Sequence, residues 1–182
     1  MPTRSRDVYQ FFRWEGGPPD PAASTLPSGL TLGVHRPTLR NLRVGRSTTI
    51  WLYLFWYLFS RRKYLIYHLT DGLRLVHVSH VVGRNPKFAF LGPDDFEIGP
   101  CWTHPDFRGR GLYGQVLKRI VADFADDPGR LVIFAEQDNA ASLRGIAKAG
   151  FRSCGVGEKS GWVGVYRLTG GRPSDGSPEQ SR

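Results

Sequence analysis

The stretch Arg-Gly-Arg-Gly-Leu-Tyr-Gly-Gln, Arg108 to Gln115, sets three glycines and two arginines directly ahead of an apolar helical stripe. That spacing suits anion binding. Glycine lets the backbone approach a ligand closely and take up positive φ. The first-turn N–H groups of a helix have no intrahelical partner, and the helix dipole adds positive potential. A strand, a glycine-rich loop and a helix start in series therefore outline a phosphate site, with Arg108 and Arg110 as charge at its rim. The same residues also describe a basic surface turn. The Lys-Ser/Thr pair of a P-loop is missing.

Other reactive residue types are sparse. The chain has two cysteines, Cys101 and Cys154, and five histidines among 182 residues. Neither cysteine sits in a C-x-x-C or Cys/His cluster, so the sequence predicts a reducing compartment, no disulfide framework and no metal site. His77 and His80, three apart on a strand, point to opposite faces and cannot share one metal. His104, before Pro105, reads as a turn residue, and Cys154 as a small buried hydrophobe. The net charge of +9 favours anionic partners. No nucleic-acid-binding motif accompanies it, so a nucleic-acid role would rest on charge alone.

These residues need elements to hold them. Tyr64–Val82 reads as a hairpin turning at Asp71-Gly72, and Phe96–Thr103 as a strand interrupted at Gly99-Pro100. Apolar residues at 112, 113, 116, 117, 120, 121 and 124 predict a helix ending by Asp126–Gly129. Leu131–Gln137 reads as a strand. Asn139 begins a further helix that closes at Gly150, and two strands follow. Ser47–Thr49 offer caps to an aromatic helix through Phe59. With ten residues, Ile50–Phe59 is too short to span a bilayer. It reads as a buried helix, or as an aromatic, basic-flanked one that touches a membrane surface or lines an acceptor pocket. Asp7–Glu15 fits a short strand or a helical turn, and Gly16–Gly29 a Pro/Gly-rich loop. The pattern predicts an α/β (α+β) fold with a central mixed sheet and helices on both faces.

The ordered segments Arg108–Gly111 and Asn139–Phe151, "NAASLRGIAKAGF", resemble the GCN5-related N-acetyltransferases. That family carries a Gln/Arg-x-x-Gly-x-Gly/Ala pyrophosphate loop and a later Asn-x-x-Ala/Ser helix ending in Gly-Phe. Glu97, on the preceding strand, stands where many members carry a catalytic glutamate. The agreement covers Phe96–Phe151, is looser from Tyr64 and on to Leu168, and does not extend to residues 1–47. The resemblance implies a mostly antiparallel sheet with a splayed strand pair forming a CoA cleft. It also implies acetyl-CoA as acyl donor, no metal, and an amine-bearing small-molecule acceptor, an aminosugar among the candidates.

Carried over by position, the cofactor-binding set is Cys101, Trp102, Thr103, Arg108, Gly109, Arg110, Gly111, Tyr113, Gly114, Asn139 and Ser142. Backbone at Cys101–Thr103 would pair the pantetheine as an extra strand does. The loop amides would hold the pyrophosphate, and Asn139 would bond the pantetheine arm or cap its helix. Glu97 would be the general base, with His77 and His80 as alternatives. Trp51, Tyr53, Trp56, Tyr57 and Trp102 would wall the acceptor, or simply fill core. Two departures stand out. Ile146 occupies the position where the family often has a tyrosine acid, and Tyr113 stands where its loop expects Gly or Ala. A non-catalytic acyl-CoA or nucleotide-binding module therefore stays open beside the enzyme. The expected organisation is an N-terminal extension over 1–29, an acyltransferase domain over 30–170 and a disordered tail over 171–182, in a cytoplasmic protein without a transmembrane segment.

Overall fold

A computed structural model describes residues 8–16, 26–42, 50–60, 63–83, 85–160 and 165–170. The expected caps Ser47–Thr49 and the tail 171–182 lie outside them. The runs rich in β-branched and aromatic residues form strands, as the sequence predicts. In chain order these are β1 (Val8–Trp14), β2 (Leu30–His35), β3 (Tyr64–Asp71), β4 (Arg74–Gly83), β5 (Phe96–Thr103), β6 (Leu131–Glu136), β7 (Arg152–Ser160) and β8 (Val165–Gly170). The helices are α1 (Ile50–Phe59), α2 (Leu112–Asp123) and α3 (Ala140–Lys148), and a 3-10 turn spans Pro105–Phe107.

All eight strands join one sheet in the order β2-β3-β4-β5-β6-β1-β7-β8. Every neighbouring pair is antiparallel except β5 and β6. The boundary expected at residue 30 is therefore corrected. Val8–Trp14 is an inner strand, paired with β6 on one side and β7 on the other, because its Tyr9, Phe11 and Phe12 are buried on the two faces. The β3–β4 hairpin turns at Gly72-Leu73, one residue later than expected. Asp71 still pairs with Arg74, and Gly72 takes φ +56°.

The helices lie on both faces. Leu112, Val116, Leu117, Ile120 and Val121 of α2 pack on one face with Ile146 of α3. On the other, Tyr53 and Trp56 of α1 pack on Tyr64, Ile66, Val78 and Val82. Beyond α1 on that face, the segment after β4 brings Phe88 and Phe90 onto Tyr9, Phe11, Phe134 and Tyr166. Apolar residues of α1 are not all inside: Trp51, Leu58 and Phe59 stay exposed. Among the described residues no helix is long and apolar enough to cross a membrane.

Candidate active site

The feature that positions the site is a break in the sheet. β5 and β6 pair only through Phe96–Ile98 and Leu131–Ile133, and then diverge. Past Ile98, Cys101–Thr103 keep their β4 partners Ser79, Val78 and His77 but have none on β6. The register shift between Ser79 and Val81 sits opposite Gly99-Pro100, where proline has no N–H for the ladder. The splayed pair expected from the sequence is thus present, and its cause is local.

One side of the split opens into a groove of about 910 Å³. Of the expected binding set, Cys101, Trp102, Thr103, Arg108, Gly109, Gly111, Tyr113, Gly114, Asn139 and Ser142 line it. Gly109 and Gly111 have φ +75° and +74°, and a Cβ on either would meet nothing within 4 Å. Glycine is needed there for backbone conformation, which turns the loop tightly into α2. The arginine side chains hold the loop. Arg108 Nε donates to Thr103 O at 3.1 Å, and Arg110 Nη2 donates to Asp106 O at 2.9 Å. Arg110 does not line the groove: its guanidinium lies over the Phe107 ring, 4.9 Å from the centroid.

Asn139 caps α3, its Oδ1 accepting from Ser142 N at 3.1 Å. Three cations that sequence reasoning missed also line the groove: Lys118, Arg144 and Lys148. With Arg108 they make its charged lining wholly basic. Their signal was present, since Arg144 and Lys148 are four apart on α3 and share a helix face. Gln115 adds a buried Oε1 with no hydrogen-bond partner.

A second cavity, of about 400 Å³, is lined by both strands of the same split. Cys101, Tyr113, Asn139 and Ser142 border both spaces. Glu97 lies in the second one, 4% exposed, with Trp56, Tyr9, Phe88 and Tyr166 among the lining residues. Burial pushes its carboxyl up to about 8, against a smaller lowering by the Asn85 amide and by Lys87. Asn85 Nδ2 donates to Glu97 Oε2 at 3.2 Å. Nothing in the spacing of residues 83–95 marked Asn85 as a neighbour of Glu97.

The histidines are placed elsewhere. His80 sits among Tyr53, Trp56 and Tyr64, with Nδ1 2.8 Å from Tyr64 Oη, and burial pushes it down to about 3. His77, on the opposite face beside Tyr113, is pushed down by burial to about 4. Its Nδ1 lies 2.7 Å from Thr103 Oγ1 and its Nε2 2.8 Å from Ser79 Oγ. Neither imidazole lines either cavity. His104 is a turn residue, its Nδ1 accepting from Asp106 N, and Cys154 packs in the aromatic cluster of β1 and β6.

Tyr113 turns away from the loop amides. Its ring packs on His77 and over Gly145, where a Cβ would come within 2.8 Å of Cδ1. Its hydroxyl bonds Cys101, and Ser79 Oγ donates to Cys101 Sγ at 3.2 Å. Burial pushes the phenol of Tyr113 well above its usual range, and the Cys101 thiol up to about 12. Ile146, one residue beyond Gly145, is fully buried in the core. Of the expected acceptor wall, Trp56 lines the second cavity and Trp102 the groove. Tyr53 and Tyr57 pack in the α1 layer, and Trp51 faces away, exposed. Among the described residues no group of three or more His, Cys, Asp or Glu is placed to hold a metal ion.

No protein-family model matches the chain, and no curated protein does. Solved structures do. A GCN5-related N-acetyltransferase-like protein from Streptococcus suis superposes with TM-score 0.58 at 14% identity, over 84% of this chain and 61% of its own. A GCN5-related N-acetyltransferase from Sphaerobacter thermophilus gives 0.56 at 20%, over 83% and 49%. An acetyltransferase of the GNAT family from Colwellia psychrerythraea gives 0.55 at 13%, over 81% and 53%. The chain thus spans about half to three fifths of the length of these proteins. At such identities the likeness establishes a shared fold.

Proposed function

We propose that this chain, whose fold is that of the GCN5-related N-acetyltransferases, is an acyl-CoA-dependent N-acyltransferase that moves acetyl from acetyl-CoA to a primary amine. One observation carries the reading. A groove whose charged lining is wholly basic and a second cavity with a buried carboxyl share Cys101, Tyr113, Asn139 and Ser142 as lining residues beside the β5–β6 split. A donor with several phosphates and a reactive end suits the first space, and an amine awaiting deprotonation suits the second.

The groove residues fit the donor. Loop amides at Gly109, Arg110, Gly111, Tyr113 and Gly114 supply N–H groups for phosphate, and the lining cations add charge. The vacant side of Cys101–Thr103 offers an edge for the amides of a pantetheine arm. Trp102, Asn139 and Ser142 border the arm's path.

Chemistry then divides between two residues. An ammonium must lose a proton before its nitrogen can attack, and Glu97 takes that proton once ionised. The nitrogen forms the new C–N bond, with a backbone N–H close to Cys101 steadying the carbonyl oxygen. The C–S bond breaks, and the thiolate takes a proton. We assign that proton to Tyr113, which lines both spaces and whose hydroxyl bonds the Cys101 sulfur. It comes from α2, whereas Ile146 leaves α3 without an acid.

Calorimetry with acetyl-CoA, followed by thiol release with an amine panel, tests the reading. Micromolar binding with thiol release supports it. Binding without release from any amine identifies a non-catalytic module, and no binding refutes both. The expected cytoplasmic location, and a domain ending near residue 170, belong to the same proposal.

A further inference from the structure

The second cavity has a polarity that its role as an amine site does not require. Two lysines, Lys87 and Lys159, line it from different segments. They are brought together by Tyr166, whose N–H donates to Lys87 O at 2.8 Å and which pairs with Lys159 between β7 and β8. Among the described residues neither lysine makes an ion pair. Lys87 Nζ instead lies over the Phe55 ring, 5.5 Å from its centroid. Trp56 also lines the cavity and is 5% exposed.

Two acidic residues line the same cavity. Glu97 is on β5 at the split. Glu136 ends β6, level with Tyr9 and close in sequence to Asn139. The cavity is therefore lined by both signs of charge, with Lys87 near enough to Glu97 to favour its ionised form, and its remaining walls include the rings of Tyr9, Phe88 and Phe134.

We infer that the acceptor is an amine that also carries an anionic group, a carboxylate or a phosphate, on a body that packs against aromatic rings. The inference rests on the acyltransferase reading and names the substrate class of that site. The ammonium lies against Glu97 and Glu136, and the anionic group against Lys87 and Lys159.

The test uses matched amines: benzylamine against 4-(aminomethyl)benzoate, and ethanolamine against phosphoethanolamine. Binding to the full chain is followed by tryptophan fluorescence, and transfer by thiol release with acetyl-CoA. In at least one pair the anionic member should bind and react about tenfold or more better, as expected for a charged hydrogen-bonded contact. The carboxylate and phosphate pairs separate the two anions. In Lys87→Met and Lys159→Met the ratio should fall toward one. Equal binding of charged and neutral members in both pairs overturns the inference, even where every amine is acetylated. A binding preference with no thiol release upholds the anion site and refutes the acyltransferase reading instead.

Discussion

Asn85 donates Nδ2–H to Glu97 Oε2 across 3.2 Å while its own Oδ1 accepts the Lys87 N–H at 3.1 Å. The second bond fixes which way round the amide sits, so a donor faces the carboxylate. That contact favours the ionised form, against the burial that opposes it. Replacing Asn85 with Leu should lower kcat about 10–100-fold, the worth of one hydrogen bond to a charged group. The KM for acetyl-CoA should hold. Because the amide lowers the pKa of Glu97, the midpoint of the pH–rate curve should move up. A kcat loss with an unmoved midpoint would mark Asn85 as a packing residue only.

Glu97 itself gives a prediction of defined sign. Its pKa is raised from 4.5 to about 8 by burial. As base it works ionised, so kcat/KM should rise with pH and level off above about 8. Glu97→Gln should remove that limb and lower turnover by about 10²-fold or more. Stability runs the other way. Between 4.5 and about 8 the folded chain holds a proton that the unfolded chain releases. The stabilisation is complete below 4.5 and is lost as pH rises through about 8. The melting temperature of Glu97→Gln should therefore gain on the parent chain as pH rises across that range, and a constant gap would refute the assignment.

Much of this was legible in the sequence where a local pattern decides the structure. The α2 stripe, the β3–β4 hairpin and the α3 cap are set by residues within a few positions of one another, and they formed as expected. The turn of the glycine-rich loop into α2 was legible for the same reason, since φ at Gly109 and Gly111 is a local matter. What stayed hidden depends on distant pairing. β1 lies between β6 and β7, more than a hundred residues away, and a short apolar strand near a chain end does not announce an inner place in a sheet. Asn85 reaches Glu97, and Lys87 reaches Lys159 through Tyr166, only because the segment after β4 folds over the aromatic cluster of β1 and β6. Arg110 looked like a phosphate ligand from its spacing, but Phe107 and Asp106 take its side chain.

The two buried histidines give the acid side of the stability curve. Burial lowers His77 to about 4 and His80 to about 3 from 6.5. Depressed values mean stability that is complete above 6.5 and is lost as pH falls toward 4 and then 3. His80→Gln should flatten that decline, even where it costs stability at neutral pH by losing the Tyr64 contact. Denaturant melts at a series of pH values decide it. An unchanged slope would mean that His80 is not among the groups that drive acid unfolding.

Tyr113 and Gly145 should act as a pair. Tyr113→Phe keeps the ring against His77 but removes the hydroxyl, so kcat should fall about tenfold while acetyl-CoA binding holds. The deficit should shrink with a thioester donor whose thiol is more acidic, because a stable thiolate needs no proton. A deficit that is the same for every donor would refute the acid role. Gly145→Ala tests the position of the ring. Its Cβ would come within 2.8 Å of Tyr113 Cδ1, so the ring must move. The same donor-dependent loss is expected there, with the hydroxyl still present.

The basic lining of the groove predicts a salt effect. Arg144 and Lys148 stand on α3, and both line the groove with Arg108, Gly109 and Gly111. Both are partly solvated, so each should contribute about 0.5–1 kcal/mol to binding a polyphosphate donor, a few-fold in Kd per residue. The double variant Arg144→Ala/Lys148→Ala should weaken CoA binding about tenfold at low salt. The gap should narrow as ionic strength rises, since added salt screens exposed charges. Tyr113 should behave oppositely, its variant changing kcat at any salt and leaving Kd in place. The two sets of residues would then divide the site as the geometry does, with charge holding the donor in the groove and the β5–β6 split performing the transfer. A Kd unaffected by the double variant would mean that the loop amides alone hold the phosphates.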